Sequence, residues 1–77
     1  MREAVGERIK RARIEKGLSA YRLAKMAGLK PQTVHLAEKG KTNPNLETCA
    51  LICKVLDISL DWLALAFFDD EEDYEKF

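Results

Sequence analysis

Little in these 77 residues suits an enzyme. There is a single histidine, His35, and no glycine-rich phosphate loop, and no nucleophile stands with a recognisable base. A chain of this length buries only about 60% of the surface it exposes when unfolded, which leaves little room for a catalytic cleft. No catalytic residue, cofactor or metal is therefore expected, and His35 has no second histidine or acid at ligand spacing. Long apolar runs are missing too, so no membrane span is expected. Residues 1–16 alternate charged and apolar side chains, without the apolar stretch of a signal peptide. Two cysteines are too few for a disulfide scaffold and point to a reducing, cytoplasmic setting. No alternation of strand length, internal repeat or linker is visible. What remains is 47% hydrophobic and 34% charged, too apolar and too periodic for a disordered chain.

The formal net charge of zero conceals a strong asymmetry. Residues 1–45 hold eleven basic and four acidic groups, a net +7, and residues 46–77 hold two basic and nine acidic groups, a net −7. One face is thereby suited to a polyanion while another repels it. The competing account is an arbitrary distribution of surface charge.

Helix punctuation divides the chain into five pieces. The first helix runs from Glu3 to Glu15, with Val5, Ile9 and Ala12 on one face, and Gly17 ends it in the left-handed conformation. Ser19 caps the second helix, with Leu18 and Leu23 placed as a hydrophobic staple and Leu23, Ala24 and Ala27 facing inward. Gly28 ends that helix, and Pro31 suits the first position of the third, where its missing N–H is not needed. Gly40 closes the third. Asn45 caps the fourth, whose apolar stripe is Leu46, Cys49, Ile52, Cys53 and Leu56. A short break at Asp57–Ile58 precedes Ser59, which caps a fifth helix carrying Leu60, Trp62 and Leu63.

The second and third helices form the informative pair. Small Ala24 allows a close crossing, Gly28 supplies the tight turn, and Val34 and Ala37 seal the interior. This is helix-turn-helix spacing. The chain resembles the Cro/phage-repressor (xenobiotic-response-element) helix-turn-helix family from about Val5 to Leu65. The resemblance is carried by Gly6-Glu7-Arg8-Ile9, Glu15 to Ser19, Leu23 to Gly28, Glu38 to Lys41, Asn43 to Thr48 and Ile58 to Leu63. It implies an all-α, compact five-helix DNA-binding fold, and a homodimer on a palindromic operator. The expected domain is residues 1–68, with the helix-turn-helix unit at about 19–39 and an acidic, mobile tail at 69–77.

On a helical wheel Val34, Ala37 and Glu38 share the inner side of the third helix, whereas Gln32, Leu36 and Lys39 share the outer, flanked by Thr33 and His35. Docked in a major groove, Gln32 suits adenine N6 and N7, Thr33 a base edge or phosphate, and Leu36 a thymine methyl. Lys39, Lys41 and Asn43 after the helix suit phosphate contact, as do Lys30 before it and Ser19, Tyr21 and Arg22 at the start of the second helix. A merely solvated face is the competing account of the lysines. Relative to the family pattern, Ala20 replaces a frequent glutamine, Lys30 and Pro31 replace polar capping residues, and Leu36 replaces a polar base-reader. These departures shift the expected specificity toward apolar contact and DNA shape.

The resemblance also implies a structural ion pair between Arg13 and Glu38. Cys49 and Cys53 fall on the core stripe and are expected to be small buried hydrophobes. Leu51, Leu65, Phe67 and Phe68 exceed what one small core needs and are candidate dimer surface, the competing account being extra core. The functional expectation is a sequence-specific DNA-binding transcriptional regulator, a repressor, without catalysis. The alternative is an antitoxin or antirepressor module that binds a protein partner through its C-terminal helix and acidic tail.

Overall fold

The computed structural model describes the backbone of residues 2–68 and the side chains of residues 5–66. Helix α1 spans Arg2–Glu15, α2 Ala20–Ala27, α3 Pro31–Glu38, α4 Leu46–Leu56 and α5 Leu60–Ala64, followed by a 3₁₀ turn at Leu65–Phe68. No strand occurs among the described residues.

Capping chemistry accounts for the boundaries. The side chains of Ser19, Asn45 and Ser59 accept the backbone N–H of Arg22 (3.0 Å), Thr48 (2.8 Å) and Trp62 (3.2 Å), each satisfying an amide the first turn leaves free. Four helices end by one device, a left-handed residue whose successor reaches back across the last turn. The bonds are Leu18 N–H to Arg13 O, Leu29 to Ala24, Lys41 to Leu36 and Ile58 to Cys53, at 2.8–3.1 Å. Gly17, Gly28 and Gly40 supply the left-handed residue in three of them; in the fourth it is Asp57 at φ 57°. Aspartate tolerates that conformation better than most residues. The break at Asp57–Ile58 is thus a cap of the same type without glycine.

The successor residues explain how the caps feed the core. Leu18, Leu29 and Ile58 pack against the buried cluster, whereas the fourth successor, Lys41, is exposed. The cluster itself holds Val5, Ile9 and Ala12 of α1, Ala20, Leu23 and Ala24 of α2, and Val34 and Ala37 of α3. Cys49, Ile52, Cys53 and Leu56 of α4 complete it with Leu63 and Ala66. The expected inner faces are therefore met, with one difference. Leu46, placed on the α4 stripe by its spacing, is 73% exposed. It is the first residue of the helix, and a helical side chain covers the turn before its own; Leu46 has no such turn to cover.

Helix α3 is wedged between α1 and α2. Its contact with α1 is closest at Gly6, where a Cβ would lie 2.4 Å from the carbonyl oxygen of Ala37 and 2.6 Å from that of Glu38. Glycine here is a matter of space, because it lets the last turn of α3 rest on the backbone of α1.

Candidate nucleic-acid interface

The orientation of α3 is set by its inner side. Val34 and Ala37 are fully buried, and Glu38 turns inward to meet Arg13. Arg13 Nε donates to Glu38 Oε2 at 2.7 Å and Nη2 donates to Oε1 at 3.0 Å, the parallel two-bond geometry of a guanidinium and a carboxylate. A third bond runs from Nη1 to the Leu18 carbonyl oxygen at 2.8 Å. The side chains are only 14% and 7% exposed, and the hydrogen bond to Glu38 raises the Arg13 pKa above its ordinary value. One arginine thus ties the end of α3, the body of α1 and the loop before α2.

With Glu38 consumed in this way, the outer side of α3 shows no acid. Pro31, Gln32, His35 and Lys39 are exposed, and Thr33 and Leu36 are half-buried. The expected outward side is therefore present, with Leu36 partly sheltered. Lys30 stands at the N-cap without a side-chain cap bond, and its carbonyl accepts Thr33 N–H at 2.9 Å. Lys41 is held against the other end of α3 by its 2.9 Å bond to the Leu36 carbonyl. Two exposed lysines therefore bracket the helix and Lys39 extends the positive edge. Asn43 is exposed in the loop that follows. On α2, Tyr21 and Arg22 are exposed, Tyr21 by 60%. The Ser19 hydroxyl oxygen accepts the Arg22 amide, which leaves its proton free to donate. Ala20, where the family often has glutamine, is buried and contributes packing.

The arrangement offers a convex helix edge with amide, methyl and ammonium groups. That combination suits a polyanion with readable edges. The pattern of the Helix-turn-helix family matches residues 9–63. The chain belongs to the Cro/C1-type helix-turn-helix family. An HTH-type transcriptional regulator of Archaeoglobus fulgidus is 36% identical over 90% of this chain and 96% of its own length. Among solved structures, the restriction-modification controller protein C.AhdI of Aeromonas hydrophila superposes with a TM-score of 0.78 at 32% identity, covering 80% of this chain and 94% of that one. The clp gene regulator ClgR of Corynebacterium glutamicum gives 0.76 at 26% identity, covering 84% of each chain. This member of the family is a DNA-binding transcriptional regulator, and the antitoxin or antirepressor reading gains no support from these relatives.

Several features of this regulator escaped the sequence. Arg8, one of the eleven basic groups of residues 1–45, stacks on the Trp62 ring with its guanidinium carbon 5.0 Å from the centroid and donates to the Trp62 carbonyl oxygen. No local pattern links residues 54 positions apart. Ile14 is 58% exposed, and here a signal was available, since it lies about 180° from Val5 on the α1 wheel. Of the dimer candidates, Leu65 is 40% exposed and Leu51 half-buried, and the side chains of Phe67 and Phe68 lie outside the described residues, as does the whole tail 69–77. Cys49 and Cys53 are buried in the core as small apolar groups. Burial pushes both thiols above the ordinary cysteine range.

Proposed function

We propose that this regulator is a repressor that works as a homodimer, each copy laying α3 along a major groove so that Gln32, Thr33 and Leu36 meet base edges. Lys30, Lys39, Lys41 and Asn43 contact phosphates around α3, and Ser19, Tyr21 and Arg22 contact them at the start of α2. The recognition unit is 19–39 within a DNA-binding domain at 1–68, acting in the cytoplasm without catalysis. The observation that carries the reading is the inward turn of Glu38 onto Arg13, which leaves an acid-free outer edge on α3 between flanking lysines. Support for the dimer comes from exposed Leu46 and Leu65 and from an apolar groove of about 290 Å³ between the start of α4 and α5, lined by Pro44, Leu46, Cys49, Leu60 and Leu63.

The test is salt-dependent binding to operator duplexes selected from random sequence, beside an unrelated duplex. Lys39→Ala should weaken binding to both duplexes alike and reduce the log–log salt slope by about 1. Gln32→Ala should cost about 1–3 kcal/mol on the selected duplex alone. Equal losses on both duplexes for Gln32→Ala would overturn α3 as the reading element. Sedimentation of the complex gives the dimer, with the two α3 helices expected about 34 Å apart, one turn of DNA.

A further inference from the structure

A second groove, about 580 Å³ and open to solvent, runs between the outer face of α1 and the end of α3, lined by Glu7, Lys10, Arg11, Ile14, Glu38 and Lys39. The Arg13–Glu38 bridge is the one ion pair among the described residues. Glu38 is therefore spent, and Glu7 alone faces three cations that lack an acid partner there. Set among them is Ile14, a large apolar side chain 58% exposed on an otherwise charged face. The groove thus asks for an occupant that is strongly acidic and also carries an apolar or aromatic group.

The chain holds such a segment. Residues 69–77 read Asp-Asp-Glu-Glu-Asp-Tyr-Glu-Lys-Phe, with six acids, one lysine and two aromatics, a net charge of −5 against +5 on residues 1–68. The length of the segment is of the right order for the groove. The 3₁₀ turn Leu65–Phe68 packs on α1, the helix that forms one wall of the groove. Nine residues extend to at most about 30 Å, and a helix of the length of α1 spans only about 21 Å.

We propose that residues 69–77 dock in this groove, acids on Lys10, Arg11 and Lys39 and an aromatic ring on Ile14, and so withhold Lys39 from DNA. The docking stands on groove and charge alone; its consequence for DNA rests on the function proposed above. A tethered segment acts at an effective concentration of the order of millimolar, so even a millimolar contact keeps the groove half covered. Apparent DNA affinity then falls by the fraction left open, about threefold for a groove covered two-thirds of the time.

The docking is tested without DNA by comparing nitrogen-15 spectra of the full chain with those of a full-length variant whose tail acids are neutralised (D69N, D70N, E71Q, E72Q, D73N, E75Q). Amide shifts at Lys10, Arg11, Ile14 and Lys39 should differ between the two. In the natural chain they should move toward the variant as salt rises from about 50 to 500 mM, be independent of protein concentration, and accompany nuclear Overhauser contacts from the Ile14 methyls to Tyr74 or Phe77. Coincident shifts at the four positions would overturn the proposal. Shifts that depend on protein concentration would also overturn it, since the tail would then sit on a second copy. The DNA arm uses Ile14→Ser, which loosens the dock with no change of charge. It should tighten nonspecific binding at low salt by about twofold, approaching the threefold of a fully opened groove. Docking signals together with an absence of DNA binding would uphold the dock and overturn the function proposed above.

Discussion

Replacing Glu38 with alanine removes both carboxylate bonds to Arg13 and leaves the guanidinium with its single bond to the Leu18 carbonyl. Hydrogen bonds to charged groups contribute about 1.5–3 kcal/mol each, and breaking one half of a buried pair costs about 3–5 kcal/mol. The remaining bond and the 14% exposure of Arg13 allow partial compensation, so the lower end applies, about 3 kcal/mol. A domain of this size has a total of roughly 4–12 kcal/mol, so the change removes a large share of it. In urea, with a slope near 1 kcal/mol per molar, the midpoint should fall by about 3 M, and the melting temperature by about 12–24 °C. The double variant Arg13→Met, Glu38→Leu should recover most of the loss, because neither charge is then stranded. The raised Arg13 pKa keeps the guanidinium charged in the fold and lets its contribution fade only as pH rises past the ordinary arginine pKa, so the loss should be constant across neutral pH. A destabilisation under about 1 kcal/mol, the worth of a solvated pair, would refute the reasoning.

Gly6→Ala should destabilise by about 1–3 kcal/mol in the same titration although alanine is the better helix former, because its Cβ would fall within 2.4 Å of a carbonyl oxygen; a gain in stability would show that α1 and α3 can separate freely. Arg8→Met should cost about 1–2 kcal/mol and alter Trp62 fluorescence in the folded state, and an unchanged spectrum would argue against the stacked guanidinium. Ser19→Ala should cost about 1 kcal/mol through the lost cap, with Ser19→Gly recovering most of it. The raised thiol pKa values keep Cys49 and Cys53 protonated in the fold at pH values where the unfolded chain ionises, so stability should decline as pH rises above the ordinary cysteine range. A thiol reagent at pH 8 should modify both cysteines far more slowly in the native protein than in urea, and equal rates would contradict their burial.

The legible parts of the fold were those written in local chemistry. Ser19, Asn45 and Ser59 cap where they stand because each satisfies an amide three residues on, and Gly17, Gly28 and Gly40 adopt the left-handed conformation that ends a helix. Asp57 escaped notice because its left-handed backbone is a minority choice for aspartate, made favourable by Ile58, which the cap delivers to the core. Leu46 was misplaced because wheel geometry presumes a preceding turn. Much of the outer side of α3 could be read in advance, since burying Val34 and Ala37 leaves only one side for Gln32 and Lys39; the partial shelter of Leu36 could not.

By itself the sequence determined where helices begin and end, which stripe of each is apolar, and that charge is divided between the two halves of the chain, because these depend on residues within one or two turns of each other. Tertiary structure decided what depends on distant residues meeting. It turned Glu38 into a tie for Arg13, drew Arg8 onto Trp62, and made Gly6 a point of backbone contact rather than a weak spot in α1. It also left Ile14 uncovered beside three cations without acid partners among the described residues. Side-chain spacing along one helix carries no information about which neighbour arrives opposite it, and that encounter settles which charges are spent inside the fold and which remain for a partner.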